Sequence, residues 1–261
     1  MKTWITPKEA AEAMRVGRGK GVRIAILDSG VEASHPGLRG LQLRDDLAII
    51  EEGLRLKLVP GDGLDVYGHG TAVAGIIREM APESEIGSIR VLGSSLAART
   101  SIIFEGARQA IQRGYHIMNC SLGCAILDHV LKYKSWVDEA YLQNVHVVAA
   151  CNNQDPSRPE WPGFFSSVLT VNMASTDDAR GLYYKPGHIV EFAARGVDVD
   201  VLWSEGGMKK MTGSSFAAPR VTGLLACLLS LHPGLSPLQA KVLFHHMAQP
   251  WTRYVSAVNE A

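Results

Sequence analysis

Five short, almost unbroken apolar runs recur along this chain: Val22 to Leu27, Ile86 to Val91, Tyr115 to Ser121, Val145 to Cys151 and Val168 to Met173. A strand with one face in water alternates apolar and polar residues. A run without alternation is covered on both faces. Helical spacing appears between and after these runs, at about 69–79, 101–113, 128–143, 215–231 and 236–248. Strand and helix in repeated alternation imply an α/β fold: a doubly wound, mainly parallel sheet with helices on both faces. No internal repeat, low-complexity tract or linker breaks the pattern. The chain therefore reads as a single domain over residues 1–261, with about 1–20 as an N-terminal extension.

Two segments depart from the alternation. Leu41 to Gly63 is charged and punctuated by Gly and Pro, and reads as a small hairpin or excursion. Thr6-Pro7-Lys8-Glu9 reads as a capped surface helix, with Thr6 as N-cap and Glu9 three residues on. Lys plus Arg equals Asp plus Glu at 26 each, so net charge supports neither nucleic-acid nor acidic-membrane binding. The apolar helix opening at Ser215 is interrupted by Pro219, Arg220 and glycine, and reads as too short and broken for a membrane span. The N-terminus lacks the apolar core of a signal peptide. Four cysteines, Cys120, Cys124, Cys151 and Cys227, are few for a secreted scaffold and read as free buried thiols at a cytoplasmic address.

Three residues at element boundaries carry the chemistry. Asp28 ends the first apolar run, in Ile26-Leu27-Asp28-Ser29-Gly30. The carboxyl ends of strands in open α/β sheets are where sites form. His69 stands between two glycines at a helix start, and Ser215 opens the long apolar helix. A serine hydroxyl needs a base to take its proton, and the base needs an acid to hold its tautomer. A helix N-terminus favours a developing anion. Each residue has a plainer reading. Asp28 before Ser-Gly suits a turn, His69 suits a loop, and Ser215 suits an N-cap, with Ser214 as its rival. The three together make one nucleophile.

These residues sit in longer motifs. His35-Pro36 follows Asp28-Ser29-Gly30, His69 begins His69-Gly70-Thr71-Ala72-Val73-Ala74-Gly75, and Ser215 lies in Gly213-Ser214-Ser215-Phe216-Ala217-Ala218-Pro219. On these motifs, with Ala81-Pro82, Val91-Leu92-Gly93 and Asn119-Cys120-Ser121-Leu122-Gly123, residues 20–245 resemble the subtilisin-like serine peptidases, whose triad runs in the order Asp, His, Ser. The resemblance implies a catalytic triad of Asp28, His69 and Ser215. It also implies an oxyanion donor after the Ala-rich strand, at Asn153 with Asn152 as the alternative, the second donor being the Ser215 amide. Asn152 stands where the family has glycine, and asparagine is the best substitute at a positive φ. Peptide would pair with Ser121-Leu122-Gly123 on one side and Gly93 to Leu96 on the other. Cys124, Asn152 and Gln154 would help line the primary specificity pocket, narrowed at Cys124. Thr100 and Ile103 would wall a more distant apolar pocket, with Ile103 equally at home in the core.

Where relatives insert a calcium loop, Gly75 to Pro82 runs straight through, so no metal and no cofactor are expected. Asp45-Asp46 and Asp62-Gly63-Leu64-Asp65 read as exposed turn carboxylates. Residues 1–20 are too short for an inhibitory pro-domain. The expected function is a serine endopeptidase acting on a peptide or protein substrate through an acyl-enzyme. Its substrate could be a specific intracellular or ribosomally made precursor, with an amine in place of water giving ligation, and a regulatory partner could restrain it. The alternative is a degenerate relative that binds peptides or partners without cleaving them.

Overall fold

The computed structural model describes residues 4–53 and 55–251. Helix α1 (Pro7–Val16) opens on a reciprocal cap: Thr6 Oγ1 accepts from Glu9 N, and the Glu9 carboxylate accepts from Thr6 N. There follow β1 (Arg23–Asp28), β2 (Asp46–Glu52), β3 (Arg55–Pro60), α2 (His69–Met80), β4 (Glu85–Arg90), α3 (Thr100–Gln112) and β5 (Ile117–Cys120). Next come α4 (Val130–Leu142), β6 (His146–Ala150), β7 (Leu169–Ala174), β8 (Tyr183–Tyr184) and β9 (Phe192–Arg195). The chain continues with β10 (Val199–Trp203), β11 (Gly207–Met211), α5 (Ser214–Leu231), α6 (Pro237–Met247) and β12 (Gln249–Pro250).

Ten strands form one sheet in the order β12-β8-β9-β7-β6-β5-β1-β4-β2-β3, and β10 pairs with β11 in a separate antiparallel hairpin. Among the described residues, only β2–β3 and β8–β9 are antiparallel within the large sheet. Strand β1 is the pivot. It pairs in parallel with β4 from Arg23↔Glu85 to Asp28↔Arg90, and with β5 from Ile24↔Ile117 to Ile26↔Asn119. The chain winds one way from β1 to β4 and the other way from β5 to β7. That reversal opens a crevice at the carboxyl ends of β1 and β5.

Both faces of the sheet are covered, which explains the unbroken apolar runs. Ile24 and Ile26 of β1 face a core shared with α1, α2, α5 and α6. Ala25 and Leu27 face the opposite core, under α3 and α4. The axis of the first core is α5. Its 18 residues are long and apolar enough to cross a bilayer, contrary to the shorter reading from sequence, but 83% of the helix is buried inside the protein. Its apolarity serves the core. Leu231 at its end is 51% exposed rather than core.

The excursion at Leu41–Gly63 is the β2–β3 hairpin, which extends the sheet edge. Its acidic neighbours are not free turn carboxylates. Asp45 accepts from Arg113 (3.0 Å) and from the Tyr115 hydroxyl (2.6 Å), and Asp46 accepts from Gly63 N at 2.9 Å. All four cysteines are free. Cys120, Cys151 and Cys227 are buried, and Cys124 is only partly so.

Candidate active site

Asp28 ends β1 at the crevice, 1% exposed. Its Oδ1 accepts from Ser29 N at 2.8 Å, and its two oxygens lie 2.8 and 3.0 Å from His69 Nδ1. A ring nitrogen facing a carboxylate on both oxygens carries the proton. His69 Nε2 is thereby left as an unprotonated acceptor. Burial pulls the His69 pKa down. The Asp28 charge and hydrogen bond, with a smaller pull from Asp65, outweigh it and hold the pKa above the ordinary imidazole value. The ring packs against Phe216, with centroids 5.5 Å apart.

Backbone fit explains the glycines around His69. Gly68 takes φ +106°, a left-handed conformation that favours glycine, and a Cβ there would also strike the Trp203 indole at 2.7 Å. A Cβ on Gly70 would lie 2.0 Å from Gly30 O and 3.2 Å from Asp28 Cβ. Without glycine at 70, α2 could not bring His69 down onto Asp28.

Asp65 completes this corner, and its role was not read from sequence. It is 8% exposed rather than an exposed turn residue. Its carboxylate accepts from Ser29 Oγ, Gly68 N, Thr71 N and Thr71 Oγ1, each at 2.7 Å, and from Tyr67 N at 3.1 Å. Ser29 Oγ in turn lies 3.2 Å from Gly70 N. Asp65 thus ties the end of β1 to the first turn of α2. An aspartate three residues before a helix-entry glycine is a capping signal that the sequence does carry. Asp65→Ala strands several buried donors at once. Unfolding in urea should show a loss of about 3 kcal/mol. A loss under ~0.5 kcal/mol would mean the corner holds without it.

Ser215 lies in the first turn of α5. The cap residue is Gly213, which has no side chain to cap with, so neither Ser214 nor Ser215 is spent as an N-cap. Ser214 is instead an anchor. Its hydroxyl donates to Cys151 O at 2.8 Å, and its N–H donates to Asn153 Oδ1 at 2.8 Å. The Ser215 hydroxyl makes a long contact, 3.5 Å, with Ser121 O, and Ser121 Oγ donates to Ser215 O at 3.0 Å. No hydrogen bond joins Ser215 to His69, although both line the same groove.

The two asparagines separate clearly. Asn152 Oδ1 accepts from Gln154 N and Asp155 N, both at 2.9 Å, so this side chain shapes its own turn. Its φ is not positive, contrary to the sequence expectation. Asn153 reaches across to α5. With Oδ1 held by Ser214 N, its Nδ2 lies 3.5 Å from the position a Gly213 Cβ would take.

The groove at the crevice has a volume of about 750 Å³. Its lining includes His69, Ser215, Ser121, Leu122, Gly123 and Cys124, together with Leu92, Leu96, Ala97, Ala98, Thr100 and Ile103. Leu122 and Gly123 lie beyond the last ladder pair of β5, Cys120↔Ala149, so their backbone groups sit at an open edge. Gly93 lines an adjoining hollow, and its N–H donates to Ala97 O. Gln154 is exposed outside the groove. Cys124 is bridged through its backbone to Trp161, and its thiol faces His129 at 3.8 Å, toward Thr100. The side chain that lies against Gly123 is Glu160, which the sequence reading passed over. Among the described residues no cluster of three or more His, Cys, Asp or Glu side chains could hold a metal ion.

A carboxylate-held imidazole and a helix-start serine face one groove at the switch point of an α/β sheet, which are the groups that acyl transfer uses. A model of the subtilase family matches residues 19–259. Subtilisin DY of Bacillus licheniformis is 30% identical over 237 residues, which cover 86% of this chain and 82% of that protein. M-protease of Shouchella clausii (strain KSM-K16) is 29% identical over 85% of this chain and 58% of its own length. The crystal structure of a cold adapted subtilisin-like serine proteinase matches with a TM-score of 0.72 at 28% identity, covering 87% of this chain and 82% of that one. The chain belongs to the subtilase family. It is a subtilisin-like serine endopeptidase.

Proposed function

We propose that the protein hydrolyses peptide bonds through Ser215, His69 and Asp28, by way of an acyl-enzyme. The observation that carries this reading is the Asp28–His69 pair, at 2.8 Å, in the groove that also presents Ser215. On substrate binding Ser215 Oγ leaves its weak contact with Ser121 O and passes its proton to His69 Nε2 as it attacks the scissile carbonyl. Looseness of this bond in a free enzyme is common, because it tightens only in the complex. Asp28 orients the ring and stabilises the imidazolium. The same proton then goes to the leaving amine. Water, deprotonated by His69, releases the acid product. Peptide enters extended, pairing with the open backbone of Ser121 to Gly123.

The tetrahedral oxyanion is met by Asn153 Nδ2 and the Ser215 amide. The Asn153 carbonyl oxygen is already held by Ser214 N, so its amide is oriented before substrate arrives. Asn153→Ala should lower kcat by roughly 10²–10³-fold with KM little changed. A fall in kcat/KM carried by KM alone would assign the amide to ground-state binding. The reading as a whole is tested with a fluorophosphonate probe, which requires an activated serine. It should label the wild type and not Ser215→Ala. Absence of label on folded wild type would favour a peptide-binding module instead.

A further inference from the structure

Glu160 has no role in the chemistry above, yet its side chain lies against Gly123, a residue that lines the groove. Its main chain is fixed. The next residue, Trp161, exchanges two backbone hydrogen bonds with Cys124, both 2.9 Å, and Glu160 O accepts from Phe164 N at 2.9 Å. Its side chain lies flat over Gly123. A Cβ on Gly123 would come within 2.4 Å of Glu160 Cγ, 2.5 Å of Cδ and 2.8 Å of Oε2. The same segment packs against the end of β6: a Cβ on Gly163 would lie 2.7 Å from Ala150 O and 3.4 Å from Glu160 O. The carboxylate therefore lies against Gly123, on a segment that also packs beside the strand leading into the turn of Asn153.

The peptidase reading brings one substrate side chain toward this segment. With the scissile carbonyl between Ser215 and Asn153, and the peptide paired along Ser121 to Gly123, the residue donating that carbonyl is the one brought there. It meets a carboxylate that no cation neutralises. No Lys, Arg or His ion pair includes Glu160 among the described residues, and the nearby Arg158 is paired with Asp155. Burial alone acts on Glu160, and it pushes the carboxyl pKa up. A half-buried carboxylate without a counter-ion is costly, and an incoming ammonium or guanidinium would remove that cost.

Resting on the peptidase reading above, we propose that Glu160 is the specificity-determining residue of this site, and that it selects Lys or Arg on the acyl side of the cleaved bond. Cys124, expected from sequence to narrow this pocket, points instead toward His129 and Thr100. Glycine at 123 is needed because Glu160 covers it.

The test uses fluorogenic peptides identical except at the residue before the cleaved bond: Lys, norleucine, Ala or Glu. Norleucine has the length of Lys without its charge. Wild type should cleave the Lys peptide roughly ten- to a hundredfold faster in kcat/KM than the norleucine peptide, and the Glu peptide slowest. Glu160→Gln keeps the shape and should bring the Lys-to-norleucine ratio close to one by loss on Lys. Glu160→Lys should move preference to the Glu peptide. Fluorophosphonate labelling reports a folded site in each variant. Where neither variant labels, the wild-type ratio decides alone. A wild-type preference for Ala or norleucine, or equal losses on all peptides in Glu160→Gln, overturns the proposal. Labelling without a Lys preference sinks this inference and leaves the peptidase standing. Folded wild type that neither labels nor cleaves sinks both.

Discussion

Ser215→Ala will lower kcat for peptide hydrolysis on the order of 10⁶-fold and leave the fold unchanged. The size follows from roles that act as a unit. Without the hydroxyl, His69 and Asp28 have nothing to activate, so their contributions vanish with it. The stability half follows from contacts. The hydroxyl's hydrogen bond is a 3.5 Å contact with Ser121 O, whereas the bonds that seat the helix start belong to Ser214 and to Ser121 Oγ. Thermal unfolding of Ser215→Ala should therefore match wild type to within about 1 kcal/mol. Ser214→Ala, which loses the bond to Cys151 O, should destabilise more. Residual activity of even a few per cent in Ser215→Ala would place the nucleophile elsewhere.

Asp28→Asn should cost about 10⁴-fold in kcat while leaving peptide binding in place. The change is isosteric, so its effect turns on the proton. Asp28 accepts from His69 Nδ1 with both oxygens. An amide can present an N–H to Nδ1 instead, which moves the ring proton to Nε2 and removes the base. The pH profile separates this from a structural effect. In wild type the neutral ring is the active form, and its pKa is held above the ordinary imidazole value chiefly by Asp28, against burial. Activity therefore falls as pH drops through that raised value. With the Asp28 charge gone, burial acts almost unopposed, and the acid limb of kcat/KM should move to lower pH. An unmoved limb, with a large loss in kcat, would mean that the titrating group is not His69.

The sheet was legible because its physics is local. A strand covered on both faces must be apolar throughout, and β1, β4, β5, β6 and β7 all advertise that. Their ends fall within about two residues of the apolar runs, a normal scatter at element termini. The places of Asp28, His69 and Ser215 were legible for a related reason: each marks the junction of a strand or helix with a glycine-containing turn. What could not be read depends on which distant segments meet. Glu160 sits in a stretch without periodicity, and only the pairing of Trp161 with Cys124 carries it to Gly123. Asp65 looked like a loop carboxylate because two of its five donors belong to Thr71 and one to Ser29. Asn152 and Asn153 are indistinguishable by type. They separate only when α5 arrives to bind one of them. Strand β11 is charged and largely exposed, with Lys209 over the Trp203 ring at 4.1 Å, and so offered no apolar signal.

The convergence of two helices and one turn on a single carbonyl is best tested by the structure of the protein after reaction with a peptidyl phosphonate. It should show phosphorus bonded to Ser215 Oγ, its free oxygen about 3 Å from Asn153 Nδ2 and the Ser215 amide, and His69 Nε2 within hydrogen-bonding reach of the adduct. An adduct on another side chain, or one on Ser215 with the His69 ring and the Asn153 amide both turned away, would contradict it.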